Sequence, residues 1–594
     1  MSEKWNLSDI FASLDDARVE SERLVPLCRK FKEKYEGKVA SLKPMYFHDC
    51  LSEYADLKAM LNRLTGYAYL VWSTNLKDKV VCAFYQDMQD TVKLCTKELT
   101  FFEVEICKEL DYFQVILPDN SDGRGKRAWL KQCLKFKQHT LSNELEKLFC
   151  DQQSVTDYWI RLYNEERAKF SVEINGQMYN EGELLQFYNS QNAGLRAEAE
   201  AKRMAWYEQR QDLFALIYNA LLHHRAIVRE WRHYGYPAEA ANLSNDIDDA
   251  DLTNLVDTFA KDDSPARALA HRYHALKAKL LWCHKLSYQD RLAPYPFEEE
   301  GSRYTIEEAK ELILKTFAEF SPEFADIAQI FFDKDCIDFY PRDGKADGAY
   351  CIEMPVEVLP RVFVNFNGYV EDIDTLAHEL GHAVHEYVSK KYGELGREKS
   401  CAQAETASIF AEQLVFDALL KAETDSKRRF ILLAKHIEEM IATTSRQIAF
   451  HRFEDLAHKA RANGEVSVQS LQEMFISVMN NYLGPSVDTK GVEFIWAGIP
   501  HFFEADYYVY SYCFSYCVVN SLYEVYRSGK MSDFATKYMT MLTDSGIENY
   551  RLALTRFGID ASSPTFWQNG IPRFEQEMDE LETLAAQIMQ KSSV

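Results

Sequence analysis

The residues best suited to chemistry are His378, Glu379, His382 and Glu405. The first three form a His-Glu-x-x-His pattern inside Asp372-Ile373-Asp374-Thr375-Leu376-Ala377-His378-Glu379-Leu380-Gly381-His382. Ile373, Leu376, Ala377, Leu380, Val384 and Tyr387 recur at helical spacing, and Asp372 and Asp374 suit a helix start. The spacing therefore predicts a helix. Residues four apart on a helix lie about 6 Å apart along the axis and about 40° around it. Two imidazoles on one face can then hold one zinc ion. Glu379, one step round from the first ring, reaches a water on that metal without being a ligand. Taken alone, the pattern also fits two solvent-facing histidines on a surface helix.

A hydrolytic zinc takes three protein ligands and keeps one position open. The metzincin arrangement would put Gly at 385 and His at 388, where this chain has His385 and Val388. The inverted HxxEH order is absent too, so the third ligand must come from elsewhere. The segment from Cys401 to Glu412 is an apolar helical pattern carrying Glu405, after a loop with Gly393 and Gly396. Without the upstream motif, Glu405 would read as a plain helix-start charge. Glu412 lies seven residues on, on the same face, placed to orient a ligand histidine from behind. Gly381 in mid-helix costs about 1 kcal/mol relative to Ala, which predicts close approach of another backbone or of the metal assembly. His385 reads as supporting or packing rather than ligating.

The elements that must position these groups are mostly helical. Apolar residues at three- and four-residue spacing predict helices over 16–36, 51–110, 125–170 and 195–285. The run from Asp111 to Gly123 reads as a linker or long turn. Residues 171–179 alternate around Asn175-Gly176, which predicts a hairpin. A second β-prone stretch covers 335–367, and its strand-like part 361–367 is a candidate to take a peptide as an added strand. After 371 the pattern is helical, broken near 484–500 and 557–573. The expected organisation is an N-terminal helical region (1–110), a helical subdomain with a short hairpin (111–190) and a catalytic domain (191–585).

The chain has 594 residues, enough for a large core, and 47% hydrophobic and 27% charged residues, a globular balance. A net charge of −24 argues against nucleic acid or an anionic membrane as partner, since phosphate binding needs a basic surface. The start MSEKWNLSDIF lacks the pattern of an export signal, and no stretch reaches the length of a membrane span. The 13 cysteines are odd in number and contain no CxxC pair, as in a reduced, cytoplasmic protein. His223-His224 and His271/His274 also resemble ligand pairs, but no acid accompanies either, and both read as structural. Gly344 to Gly348 is too sparse for a phosphate loop and reads as a turn.

HELGHAVHEY followed by AETASIFAEQ resembles oligoendopeptidase F, in the thimet-oligopeptidase-like group of zinc peptidases. Asp338-Phe339-Tyr340-Pro341-Arg342, Gly344-Lys345 and Gly348-Ala349-Tyr350 resemble that family's segment ahead of the zinc helix. So do Asn365-Phe366-Asn367-Gly368, Ile499-Pro500-His501-Phe502-Phe503 and Tyr507-Tyr508-Val509-Tyr510, with Trp5-Asn6-Leu7-Ser8-Asp9-Ile10 and Ala293-Pro294 upstream. Cys351 departs from the pattern, where a small polar residue is expected. The resemblance implies a mainly α fold: a helical shell around a deep substrate channel, with a small β element beside the HExxH helix. It implies one Zn2+ per chain on His378, His382 and Glu405, and hydrolysis of internal bonds in short, unfolded oligopeptides. Carboxypeptidase action or a non-hydrolytic peptide-binding relative are the alternatives. By the same resemblance, Glu379, His501 and Tyr510 are catalytic, the last two as oxyanion donors, and Gly348, Ala349 and Tyr508 bind substrate. Standing alone, His501 and the tyrosines from 507 to 516 would read as packing.

Overall fold

The computed structural model describes residues 3–113, 117–298 and 303–591. Part of the expected linker after Asp111, residues 114–116, lies outside them. The chain divides into two compact units. One comprises Met1–Cys150, Gly301–Leu419 and Leu522–Asp560; the other Asp151–Glu300, Leu420–Ser521 and Ala561–Val594. Consecutive regions bounded at 110 and 190 do not coincide with these units, because helices pack on partners far away in sequence. Among the described residues, no helix is long and apolar enough to cross a membrane.

In the first unit the N-terminal helices Leu14–Tyr35, Pro44–Ser73 and Lys79–Phe113 pack together. The single helical run expected over 51–110 is broken at 74–78, where Thr74, Asn75 and Asp78 favour turns. Phe31 anchors the core, its ring 5.2 Å from Phe102 and 6.0 Å from Tyr54.

A three-stranded sheet stands beside these helices, with Arg361–Phe363 in the centre. Ile337–Asp338 pairs parallel on one side of it and Tyr350–Ile352 antiparallel on the other. This corrects the reading of 361–367 as an acceptor for a peptide strand. Both edges of its extended part are already paired, and the outer side of Ile337–Asp338 is met by the N-terminal segment (Phe339 N to the Glu3 carbonyl, 3.2 Å; Asn6 N to the Asp335 carbonyl, 2.8 Å), which leaves the edge of Tyr350–Ile352 for an added strand.

Two of the resembling motifs are explained by this sheet. Asp338 is fully buried and pairs with Arg342 (2.9 Å) and Lys345 (2.7 Å), while Lys345 Nζ also donates to the Val364 carbonyl at 2.6 Å. The loop before the edge strand is thereby fastened from within. Buried Arg361 donates to the Asn6 carbonyl (3.0 Å) and pairs with Asp9, holding the segment after Trp5 against the central strand.

The second unit contains the predicted hairpin. Val172–Ile174 pairs with Gln177–Tyr179, and Asn175 (φ 53°) and Gly176 (φ 79°) make the left-handed turn that Asn-Gly favours. Its helices include Gln211–Trp231, Pro265–Leu280 and Ser445–Arg461. His271 and His274 each bond a main-chain carbonyl, of Asn481 (3.1 Å) and Leu483 (3.0 Å), and are structural.

Candidate active site

Two helices of the first unit build the site. Val370–Ser389 carries His378, Glu379 and His382, and Cys401–Ala422 carries Glu405 and Glu412. The first helix starts where Asp372 accepts from the main-chain N–H of Asn367 (2.7 Å) and Tyr369 (3.0 Å). The helices meet at Gly381: a Cβ there would stand 2.5 Å from the Ala407 carbonyl oxygen and 2.7 Å from Ser408 Cα. Only a residue without a side chain lets the backbones approach this closely. Between the helices, Lys399 binds Glu386 at 2.8 Å and buried Arg397 binds Glu353 at 2.8 Å, clamping the connecting loop.

Glu405 Oε2 lies 3.4 Å from His378 Nε2 and 3.4 Å from His382 Nε2. The three candidate ligand atoms lie within 4.8 Å of one another. Donors of a tetrahedral zinc with bonds near 2.0–2.1 Å stand about 3.3 Å apart, so this donor set fits that ion in both chemistry and spacing. The surroundings favour a cation. Burial opposes charge on His378, but hydrogen bonds to Glu405 and Glu412 raise its proton affinity well above the ordinary value. Burial pushes Glu405 up, yet the two histidines bring it far below the usual carboxylate range.

Each group is held from behind. Glu412 Oε2 lies 3.2 Å from His378 Nδ1. Ser408 Oγ donates to Glu405 Oε2 at 2.8 Å, a contact sequence reasoning missed although i, i+3 spacing allows it. Glu379 is 6% exposed, and burial raises its carboxyl above the ordinary carboxylate range. Its Oε2 has no hydrogen-bond partner among the described residues. An orphaned buried carboxylate oxygen beside three ligand atoms is suited to a reacting proton. His385 is buried with Nε2 2.8 Å from Ser545 Oγ, a packing role. Gly348, at φ 85°, leads into the edge strand, and its carbonyl accepts from Asn365 Nδ2 at 3.0 Å; Ala349 is half-buried beside it.

In the second unit His501 and Tyr508 come together. His501 Nε2 lies 3.1 Å from Tyr512 Oη, and the Tyr508 ring stacks on the imidazole at 6.0 Å and 18°. Tyr508 is 37% exposed. Tyr510 is fully buried: its hydroxyl accepts from Asn245 Nδ2 at 3.1 Å and its ring meets His451 edge-on at 5.4 Å. Tyr512 was not singled out from the sequence. The Tyr508 and Tyr512 rings lie 5.3 Å apart, but Tyr508 precedes the helix Tyr510–Arg527 that carries Tyr512, so helical spacing gave no signal for this pair.

Residues 186–572 match the profile of peptidase family M3. The oligopeptidase PepF of Bacillus subtilis is 27% identical over 607 residues, covering 99% of this chain and 88% of its own. An oligoendopeptidase F homolog of Borreliella burgdorferi is 24% identical over 601 residues, covering 98% of each. The crystal structure of oligoendopeptidase-F from Enterococcus faecium shares the fold, with TM-score 0.72 and 21% identity over 95% of this chain and 98% of that one. A solved structure from Chlamydophila abortus superposes with TM-score 0.82 at 20% identity over 98% of this chain and 99% of its own. With the family profile matched over more than half of its length, the chain belongs to peptidase family M3 and is a metallopeptidase.

Proposed function

We propose that the chain hydrolyses internal bonds of short, unfolded oligopeptides, with one zinc ion on His378, His382 and Glu405 and with Glu379 as general base. The observation that carries this reading is the convergence of Glu405 Oε2 on both Nε2 atoms at 3.4 Å, with the unpartnered Glu379 oxygen beside them. Bound zinc supplies an acidified water, with a pKa near 7, and polarisation of the scissile carbonyl. Glu379 takes the proton of the attacking water and delivers it to the leaving amine. The free edge of Tyr350–Ile352, entered through Gly348 and Ala349, aligns the peptide backbone. By resemblance, His501 is assigned the role of an oxyanion donor. Tyr510 fits that role by resemblance, whereas Tyr512 is the tyrosine whose hydroxyl meets His501.

The test is a Glu379→Gln variant, assayed with the parent on a mixed peptide library, with metal analysis of both. One zinc per chain in each, internal cleavage by the parent and a loss of at least about a hundredfold in kcat in the variant are expected. Full activity in the variant would remove Glu379 from the reaction. Release of single C-terminal residues alone would replace endopeptidase by carboxypeptidase action.

A further inference from the structure

Residues of a strand alternate between the two faces of its sheet. The edge strand packs on the HExxH helix, and on that side the Cys351 thiol is pushed up by burial and by the Glu379 and Glu386 charges. Tyr350 and Ile352 turn the other way, onto the N-terminal helices. There Tyr350 stacks on Phe363 (4.7 Å, 10°), with its hydroxyl 2.6 Å from Ser73 Oγ. Tyr69 lies 5.2 Å from the Tyr350 ring and 5.7 Å from Trp72, and Trp72 stacks on Tyr85 at 4.7 Å and 15°. All four rings are only half-buried, unlike their fully packed neighbours Tyr67 and Phe84. The platform is rigidly tied to the strand's approach loop: Ala346 N donates to the Ser73 carbonyl and Leu76 N to the Gly344 carbonyl, both at 2.7 Å.

A peptide added antiparallel to this edge sends alternate side chains to each face. One set points to the side of Glu379, where the reaction occurs. The other points to the side of Tyr350, where Tyr69, Trp72 and Tyr85 present apolar rings in series. We propose that these three rings form a side-chain subsite selecting an aromatic residue of the substrate peptide, at a position of the same alternation set as Tyr350. This rests on the reading of the edge strand as the peptide-aligning strand. The binding force is ring-on-ring contact, so the subsite acts on affinity and not on the chemical step.

The experiment uses the full chain loaded with zinc and a series of quenched fluorogenic peptides in which each position is Phe or Ala in turn. For the parent, one position, or two positions separated by one residue, is expected to show a KM lower by about tenfold with Phe than with Ala. In Trp72→Ala and in Tyr85→Ala that ratio falls towards one, while kcat on the Ala peptides stays at the parent's value. Trp72→Phe restores the preference. Binding of the Phe and Ala peptides to Glu379→Gln protein, followed by calorimetry, gives the same ratio without turnover. An unchanged Phe/Ala ratio in both alanine variants overturns the subsite while leaving the peptidase reading intact. If the zinc-loaded parent cleaves none of the peptides, that reading fails and the subsite with it.

Discussion

The His378 ring has a carboxylate at each nitrogen: Glu412 Oε2 lies 3.2 Å from Nδ1 and Glu405 Oε2 lies 3.4 Å from Nε2. The first contact fixes the tautomer, because the proton held on Nδ1 by Glu412 leaves the Nε2 lone pair free for a cation. Glu412→Gln is therefore expected to weaken zinc binding about 10–100-fold. Competition against a chromogenic chelator measures this, and kcat returns close to the parent's value at saturating zinc. Equal affinities would mean that Glu412 does not support the ligand.

The contact of Gly381 with the Ala407 carbonyl sets a second expectation. A Cβ at 2.5 Å from main-chain oxygen cannot be relieved by a side-chain rotation. Gly381→Ala must push apart the two helices that carry the candidate ligands, and Glu405 lies only two residues before the clash. Overpacking of this kind costs about 1–3 kcal/mol. A lowered unfolding midpoint together with a substoichiometric zinc content is expected. A variant of parental stability and full zinc content would show that the helices have slack here.

His378, Glu379, His382, Glu405 and Glu412 were legible in the sequence because each rests on helical periodicity within a short segment, and the tight helix contact was legible as a glycine out of place at 381. What was not legible depends on the order of elements in space. Arg361-Val362-Phe363 has the composition of a strand, but nothing local says that it is central, with both edges occupied. Cys351 comes beside Glu379 only because the sheet packs on the HExxH helix. Asp338 and Lys345 are seven residues apart, and nothing local says that they form a buried pair. Tyr512 was hidden by its company, since five tyrosines between 507 and 516 look alike until the backbone shows which of them meets His501.

That distinction between tyrosines is measurable. Tyr510 Oη is sealed against Asn245, whereas Tyr512 Oη meets the half-exposed His501. If the oxyanion donor is the hydroxyl bound to His501, Tyr512→Phe lowers kcat by about 10²–10³, the scale of one oxyanion donor, with KM little changed. Tyr510→Phe then acts mainly through stability, by leaving Asn245 short of an acceptor. The reverse pattern, a collapse of kcat in Tyr510→Phe alone, would require Tyr510 to leave its buried contact during turnover.

Acid sensitivity follows from a ring outside the site. His274 is buried, its Nδ1–H donating to the Leu483 carbonyl at 3.0 Å, and burial together with the nearby Arg291 charge pushes its pKa down to about 3. His451, also buried, is pushed down to about 4. In the unfolded chain both titrate near 6.5. Between those values the unfolded state binds a proton that the folded state refuses, so stability rises with pH there. The contribution is complete above about pH 6.5 and is lost as the pH falls towards 3 to 4, at up to about 1.4 kcal/mol per pH unit for each ring. Denaturant midpoints at pH 7 and pH 5 are expected to differ in the parent. His274→Asn keeps a donor for the Leu483 carbonyl but does not titrate, so the variant should start from lower stability and lose less of it between the two pH values. A slope identical to the parent's would assign the acid sensitivity to other groups.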